Sequence, residues 1–369
     1  MLKHSIIFLP LFLVIQLTAQ TNTSWPSFRG NEALTGITSV QIPKTPKLIW
    51  TYKTGDGTKS SPVISDGSIF IGSNNGNVYS ISLAGKPNWT FNTGNTVEAA
   101  PLFLDNTLYV GSLEGKLFAL DAKTGKEKWS YKTEGQISGP SNYFTSGKTK
   151  KIITGSYDFS LHCVNATTGK PDWKYTSENY INGSPASNGK VTVFGGCDGQ
   201  LHVVDLASGK LKHKIDIGTY IASSSALSGN LAFFGNYDGD FFCVDYITKK
   251  IIWKQTGGGS FIASPAVSEN KVVIGSGNKT IYCYKKTDGA VLWKFNTLGK
   301  INGSPVISGK SVVVASGDGR IYVLDLQTGQ QNWMYEMGSP SSSTPAIIQD
   351  LLVIATEDGR VFTFSLKGK

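Results

Sequence analysis

The stretch ALDAKTGKEKW, residues 119–129, is the pattern that recurs along the whole chain. Its final position returns at nearly even spacing as tryptophan, with one histidine in the series: Trp50, Trp89, Trp129, Trp173, His213, Trp253, Trp293 and Trp333. The successive steps are 39, 40, 44, 40, 40, 40 and 40 residues. A second mark keeps the same period: Pro62, Pro101, Pro140, Pro185, Ser225, Pro265, Pro305 and Pro345. A fixed period of this length over short strand-like units indicates a propeller or another repeat array.

Each period reads as four short strands separated by turns. In the second unit the strands begin at Pro101, Leu108, Lys116 and Glu127, and apolar residues alternate with small or polar ones within each run. Asp or Asn followed by Gly recurs between the second and third strands and supplies the positive φ that tight hairpins need. The 42 glycines and the many β-branched and aromatic residues also favour an all-β fold.

The two ends of the chain each hold part of one unit. The eighth unit ends at Leu366 without a tryptophan-bearing fourth strand, whereas LIWTY at residues 48–52 is such a strand with no preceding three. We therefore predict an eight-bladed β-propeller of four-stranded antiparallel blades, closed by the N-terminal strand, because closure removes exposed sheet edges. The predicted organisation is a signal peptide at residues 1–20, a lead-in segment at residues 21–46 and one propeller domain at residues 47–369.

The first residues have the composition of a secretory signal. Lys3 and His4 precede an apolar run from Ile6 to Leu17, and a small-residue exit predicts cleavage near Ala19 or Gln20. A retained membrane anchor is the alternative, but it needs about 20 apolar residues. No cysteine stands at the exit, which argues against a lipoprotein anchor. We expect a periplasmic or extracellular protein.

The net charge bears on the kind of binding partner, and the cysteine positions bear on whether disulfides form. The net charge of +9 fits either simple solubility or an anionic partner such as a membrane surface, so peripheral membrane association stays open. We expect no nucleic acid partner, because no basic run alternates with aromatic residues. Cys163, Cys243 and Cys283 each stand ten residues before the tryptophan mark, in different blades, so we expect free buried thiols. The role of Cys197 is left open.

The A-x-D-x-x-T-G-K-x-x-W pattern resembles the tryptophan-docking motif of quinoprotein-type, PQQ-like eight-bladed propellers, and the match covers nearly the whole chain after the signal. The resemblance implies that the tryptophan series packs between neighbouring blades, with His213 as the departure from the motif. Because the backbone at position 213 follows the same turn as in the other blades, we expect His213→Trp to stabilise the ring.

The same resemblance implies two functional classes. Some members are dehydrogenases that use pyrroloquinoline quinone with calcium, and others are non-catalytic scaffolds, including the propeller subunit of the outer-membrane β-barrel assembly machinery. The resemblance implies that a catalytic member would have two adjacent cysteines, an acidic base and a calcium site. This chain has no Cys-Cys pair. We therefore expect a monomeric protein-binding scaffold with no catalytic residues, no metal and no cofactor; the quinone with calcium belongs to the dehydrogenase alternative.

In an up-and-down blade, the turns between the second and third strands share one rim with the loops between blades. That rim carries aromatic residues at matching positions, which we predict to bind a partner because exposed tyrosines bury much area with few rotatable bonds. They are Tyr157, Tyr180, Tyr220, Tyr237 and Phe261. The alternative is that each ring only covers its own blade. His162 and His202 occupy a position that other blades fill with Tyr or Phe, so we interpret them as packing residues and not metal ligands.

Overall fold

The strands of residues 22–368, the part of the chain that this computed structural model describes, form eight antiparallel sheets. The predicted signal peptide lies outside the described residues. Each sheet is one blade of a β-propeller, with strands named a to d from the inside outward. The predicted all-β, eight-bladed architecture is confirmed.

The strands of the first four blades follow the tryptophan period. Blade 1 contains β3 (Val63–Ser65), β4 (Ser68–Gly72), β5 (Asn77–Ser82) and β6 (Pro87–Asn92), and blade 2 contains β7 (Leu102–Leu104), β8 (Thr107–Gly111), β9 (Lys116–Asp121) and β10 (Glu127–Lys132). Blade 3 contains β11 (Asn142–Ser146), β12 (Thr149–Gly155), β13 (Ser160–Asn165) and β14 (Pro171–Thr176), and blade 4 contains β15 (Ala186–Ser187), β16 (Val191–Gly195), β17 (Gln200–Asp205) and β18 (Leu211–Asp216).

The remaining blades repeat the same order. Blade 5 contains β19 (Ala226–Ser228), β20 (Leu231–Gly235), β21 (Phe241–Asp245) and β22 (Lys250–Gln255), and blade 6 contains β23 (Ala266–Val267), β24 (Lys271–Gly275), β25 (Thr280–Lys285) and β26 (Val291–Asn296). Blade 7 contains β27 (Val306–Ser308), β28 (Ser311–Ala315), β29 (Arg320–Asp325) and β30 (Gln331–Glu336), and blade 8 contains β31 (Ala346–Ile348), β32 (Leu351–Ala355) and β33 (Arg360–Ser365).

The last blade is completed by β2 (Lys47–Lys53), which pairs antiparallel with β33 and places Trp50 opposite Thr363. The predicted closure by the N-terminal strand is therefore confirmed. A seam of this kind ties the two ends of the chain into one sheet, so no blade is left with an unpaired strand c.

Inner and outer strands differ in burial for a simple reason. Strands b and c, such as β8, are buried on both faces because neighbouring blades cover them, and they read as continuous apolar runs. Strand d alternates instead, as in β10, because one of its faces meets solvent. The step of 44 residues comes from the a–b hairpin of blade 3, where β11 and β12 are lengthened to five paired positions.

The tryptophans join neighbouring blades. In six joints the indole lies against a glycine of the next c–d turn, and its Nε1 donates a hydrogen bond of 2.9 to 3.1 Å to a carbonyl of that turn: Trp50 to Leu83, Trp89 to Ala122, Trp129 to Ala166, Trp173 to Leu206, Trp253 to Lys286 and Trp293 to Leu326. A Cβ on these glycines would approach the indole to 2.6 to 2.8 Å, so the contact needs glycine.

The joint between blades 4 and 5 replaces both members of this pair. His213 Nε2 lies 2.6 Å from the carbonyl of Tyr246, the same place in the turn that an indole reaches elsewhere. The turn glycine is replaced by Lys249, which keeps the positive φ of 64°. The smaller imidazole therefore leaves room for a side chain that an indole would exclude.

The segment before β2 makes one circuit of the ring. It contains a 3₁₀ turn at Phe28–Gly30 and β1 (Ile37–Thr38), which pairs parallel with β27. Its carbonyls accept backbone N–H bonds of 2.7 to 3.0 Å from inner strands in succession: Gln349 to Asn22, Ile64 to Trp25, Phe103 to Pro26, Ser187 to Glu32, Leu227 to Ala33, Val267 to Thr35 and Ile307 to Gly36. In blade 3, the Asn142 side chain donates to Glu32 instead.

Arg29 anchors this segment to blades 6 and 7. Its guanidinium is fully buried and donates to the carbonyls of Pro305 at 2.6 Å and Pro265 at 2.7 Å. Burial lowers the pKa of Arg29 to about 9, so the side chain is still charged at neutral pH. The segment thus closes the central channel from the side of the a–b turns.

Candidate interaction surface

The d–a loops and b–c turns form one rim of the ring, and each loop is bonded to the next blade. The carbonyl of Tyr180 accepts the N–H of Cys197, and the carbonyl of Tyr220 accepts the N–H of Tyr237, both at 3.0 Å. Equivalent bonds recur around the ring, for example Tyr157 N–H to Gln136. Side chains on this rim are therefore carried by a rigid backbone.

Aromatic side chains gather on this rim over blades 3 to 5. Tyr157 and Tyr180 stack with their centroids 4.7 Å apart, and Phe159 lies 5.2 Å from Tyr180. In the next joint, Tyr220 and Tyr237 lie 5.6 Å apart. We call these five residues the aromatic patch. The exposed fractions of Phe159, Tyr180 and Tyr237 are 40%, 42% and 53%, so the rings are not buried by their own blades.

The prediction for Phe261 is wrong. This side chain is 1% exposed and packs against Phe241 with centroids 5.5 Å apart. Gly235 and Gly258 provide the space, since a Cβ on either would lie within 2.3 Å of Phe261 atoms. The exposed apolar residue of this loop is its neighbour Ile262. The 40-residue period places Phe261 in register with the buried Ile181, Ile221 and Ile301, one residue after the register of Tyr180 and Tyr220.

Phe159 belongs to the aromatic patch but was not predicted. It stands in the b–c turn at the place where Gly199 stands in blade 4, and it keeps a positive φ of 67°. A bulky side chain in this backbone region is uncommon and strained, and such strain is often retained at functional positions. Phe after Asp158, where six of the eight b–c turns have Gly, was the signal in the sequence.

A polar contact connects the two halves of the aromatic patch. Asn182 Nδ2 donates to the Tyr220 hydroxyl at 2.7 Å and lies 3.3 Å from Cys197 Sγ. Burial raises the pKa of Tyr220 to about 12 and also raises that of Cys197, so both stay protonated at neutral pH. The contact orients Tyr220 and provides no nucleophile.

The two predicted packing histidines are buried in matching hydrogen-bonded chains. His162 Nε2 lies 2.9 Å from Asp158 Oδ2, and its Nδ1 lies 3.0 Å from the hydroxyl of Tyr131 on the preceding blade. His202 repeats this arrangement one blade further on. Both nitrogens of each ring are thus occupied by protein groups. Within residues 22–368, no three His, Cys, Asp or Glu side chains come close enough to hold a metal ion.

The other predicted groups lie apart from the aromatic patch. All four cysteines fall within the described residues and are free; Cys163, Cys243 and Cys283 are buried, and burial raises the pKa of each to about 12. Among the described residues, no helix is both long and apolar enough to span a membrane.

A cup of about 430 Å³ opens at the centre of the same rim. All blades contribute to its wall, and Phe28 of the lead-in segment lies at its base. Part of the wall is a chain of hydroxyls between blades, in which the N–H groups of Ser184, Ser224 and Ser264 donate to the serine one period later.

The lining of the cup does not fit pyrroloquinoline quinone. That molecule carries three carboxylates, whereas the charged residues here are Lys59, Glu98 and Glu357. Lys59 is already paired with Glu98 at 2.8 Å, so the cup offers an anion no free cation among its lining residues. The remaining lining is mostly Ser, Asn, Gly and Ala, which suits neutral polar groups.

The chain is similar to a known protein family and to several solved structures. The profile of the family described as "Outer membrane protein assembly factor BamB" matches residues 37–255, 198–281 and 244–369. Comparison with curated proteins gave no significant match. Among solved structures, BamB from Moraxella catarrhalis is 19% identical with a TM-score of 0.75 and covers 87% of this chain and 100% of its own.

Enzymes are also among the similar structures. Quinohemoprotein alcohol dehydrogenase from Comamonas testosteroni is 16% identical with a TM-score of 0.80, covering 96% of this chain and 82% of its own. A europium-containing methanol dehydrogenase is 13% identical with a TM-score of 0.81, covering 94% and 98%. Identities this low establish a shared fold and do not assign an activity.

Proposed function

Because the chain belongs to the family of the outer membrane protein assembly factor BamB, we propose that it is an exported, non-catalytic scaffold that binds a protein partner in the cell envelope. The observation that carries this proposal is the aromatic patch. Exposed, preorganised tyrosines are typical anchors of protein interfaces. The family name points to outer-membrane protein assembly as the process.

The aromatic patch has the properties of a docking site for an extended or loop segment. Its rings lie on adjacent blades, and the backbone bonds between blades hold them in place, so little entropy is lost when a partner binds. Acidic residues on the same rim, such as Glu134 and Asp238, favour a partner that places basic residues beside its apolar ones.

The test is site-specific photo-crosslinking in the envelope, with a reactive residue introduced at position 180 or 237. We expect a discrete protein adduct from these positions and none from position 332 on the outer strand of blade 7. Changing Phe159, Tyr180 and Tyr237 to Ser should lower adduct yield at position 157 at least about tenfold, as loss of central aromatic anchors does. An unchanged yield would reject the aromatic patch as the docking site.

The second candidate is a quinone-dependent dehydrogenase, favoured by the similarity to alcohol dehydrogenases along nearly the whole chain. The charges that line the cup argue against it. Titration with pyrroloquinoline quinone and calcium, followed by dye reduction on alcohols and sugars, separates the two. Calcium-dependent uptake with turnover would replace the scaffold proposal.

A further inference from the structure

The rim opposite the aromatic patch carries a set of exposed lysines. It is formed by the a–b and c–d turns, and we call it the lysine rim. The exposed lysines at or next to these turns that lie beyond 4 Å from every carboxylate of residues 22–368 are Lys86, Lys123, Lys126, Lys148, Lys170, Lys190, Lys210, Lys249, Lys250 and Lys310. Because all of them sit at or next to the turns of one rim, their charges project from the same side of the ring.

The acids of the lysine rim offset only part of this charge, because they are fewer than the lysines. Asp121 turns its carboxylate back to the N–H and hydroxyl of Thr124, and Asp205 does the same with Ser208. Hydrogen bonds from these turn residues lower the pKa of both aspartates, so both stay ionised at neutral pH, and they lie near Lys128 and Lys212 rather than near the unpaired lysines. Asp245 and Asp325 follow the same pattern.

Other acids on this rim are paired with further lysines. Asp105 lies 2.8 Å from Lys150, and Asp288 lies 2.6 Å from Lys285. The exposed acids of these turns with no lysine within 4 Å among the described residues are Asp66, Glu127 and Glu269. Unpaired positive charge therefore clearly exceeds unpaired negative charge on the lysine rim.

The aromatic rim lacks such an excess. Its unpaired lysines, such as Lys279 and Lys300, are matched by exposed acids with no lysine within 4 Å among the described residues, such as Asp56, Glu134 and Asp238. The protein therefore has a charged face and an aromatic face on opposite sides of one disc.

The N-terminal end of the described chain lies at the lysine rim. The carbonyl of Asn22 accepts the N–H of Gln349, which directly follows β31 in the a–b turn of blade 8. The Asn22 side chain is held by Thr38 and Ser39. The first described residue therefore lies on this side of the ring.

We infer that the lysine rim docks on the surface of an anionic phospholipid bilayer. Charge complementarity supports this occupant, because lysines spread over many blades match a broad, uniformly negative surface better than a single compact ligand. Docked in this way, the protein turns the aromatic patch away from the bilayer.

The test uses the purified protein with sedimented vesicles of phosphatidylcholine alone or mixed with phosphatidylglycerol. We expect binding to the mixed vesicles, weak binding to the neutral ones, and loss of binding at high salt because the surface potential is screened. The variant Lys123→Glu, Lys170→Glu, Lys210→Glu should bind the mixed vesicles about tenfold or more weakly, since each lysine near the surface contributes.

A matched control separates position from net charge. Lys53→Glu, Lys279→Glu, Lys300→Glu makes the same change in charge on exposed lysines of the opposite rim, and it should retain more than about half of the binding. Circular dichroism and melting temperature verify that both variants are folded. Equal loss in both variants, or no preference of the wild type for anionic vesicles, would overturn the inference.

Discussion

A single residue pair, His213 with Lys249, shows how one joint of the ring departs from the repeat. His213 reaches the Tyr246 carbonyl that an indole would reach, and Lys249 occupies the place of the turn glycine. At the other joints a Cβ in that place would lie 2.6 to 2.8 Å from the indole. The expectation that His213→Trp stabilises the ring therefore does not hold for the single change.

We predict instead that His213→Trp alone lowers the free energy of unfolding by about 1–3 kcal/mol, the usual cost of overpacking. Adding Lys249→Gly should recover most of that loss, because the pair then matches the other joints. Denaturant unfolding of both single variants and the double variant measures the coupling, which we expect to reach about 1 kcal/mol. Additive effects would contradict steric coupling between the two positions.

Buried His162 predicts a dependence of stability on pH. Burial lowers the pKa of His162, and the hydrogen bond to Asp158 offsets only part of that effect. The folded state therefore favours the neutral ring. In the unfolded chain the histidine has its ordinary pKa of about 6.5. The stabilisation that the neutral His162 ring gives the folded state is complete above the unfolded-state pKa. It declines as the pH falls through that pKa toward the lower pKa of the folded state.

Accordingly, the free energy of unfolding should drop between about pH 7.5 and about pH 5.5. The drop should be smaller for His162→Phe, which installs the aromatic residue found at Phe118 in the preceding blade. Urea unfolding at both pH values gives the comparison. The same drop in both proteins would assign the pH dependence to other groups.

Residue types that repeat were predictable, and residues whose setting depends on distant partners were not. The tryptophan series and the buried cysteines follow from spacing alone. Phe261 stands one residue later in the repeat than Tyr180, at the place of the buried Ile221, so the 40-residue period, applied strictly, predicts its burial. The Tyr246 carbonyl stands where the other turns present a carbonyl to an indole, but the sequence pattern does not show that a histidine also reaches it.

At the scale of elements, β2 is the strand on which closure depends. It is the outer strand of blade 8, and Trp50 within it bonds to Leu83 of blade 1. Its role was predictable because it carries the tryptophan mark without a blade of its own. The circuit of residues 22–38 was not, since it relies on backbone hydrogen bonds that any side chain permits.

Deletion of residues 1–54 should therefore unfold or aggregate the protein, because β33 would become an open edge and the channel would lose its closing segment. Deletion of residues 1–21 alone removes none of these contacts and serves as the control. Light scattering and thermal melting distinguish the outcomes. A monomeric 1–54 deletion with the melting temperature of the control would disprove closure by β2.

For the whole molecule, the closed ring predicts cooperative unfolding. Every blade contacts two neighbours, and the lead-in segment bonds to inner strands around the circle, so no blade has an independent boundary. We expect one denaturant transition, with coincident midpoints for tryptophan fluorescence and far-ultraviolet circular dichroism. Open repeat arrays can lose this behaviour. Separate midpoints for the two probes would show that blades unfold independently.

The one-turn circuit of residues 22–38 also sets an order of events in time. These residues leave the ribosome first, yet their acceptor carbonyls meet donors as late in the chain as Gln349, and β2 waits for β33. Contacts of such sequence separation form slowly, and incomplete chains expose unpaired edges. Synthesis must therefore reach β33 before β2 has a partner, and a holding factor that shields the early blades until then would raise the yield of folded protein.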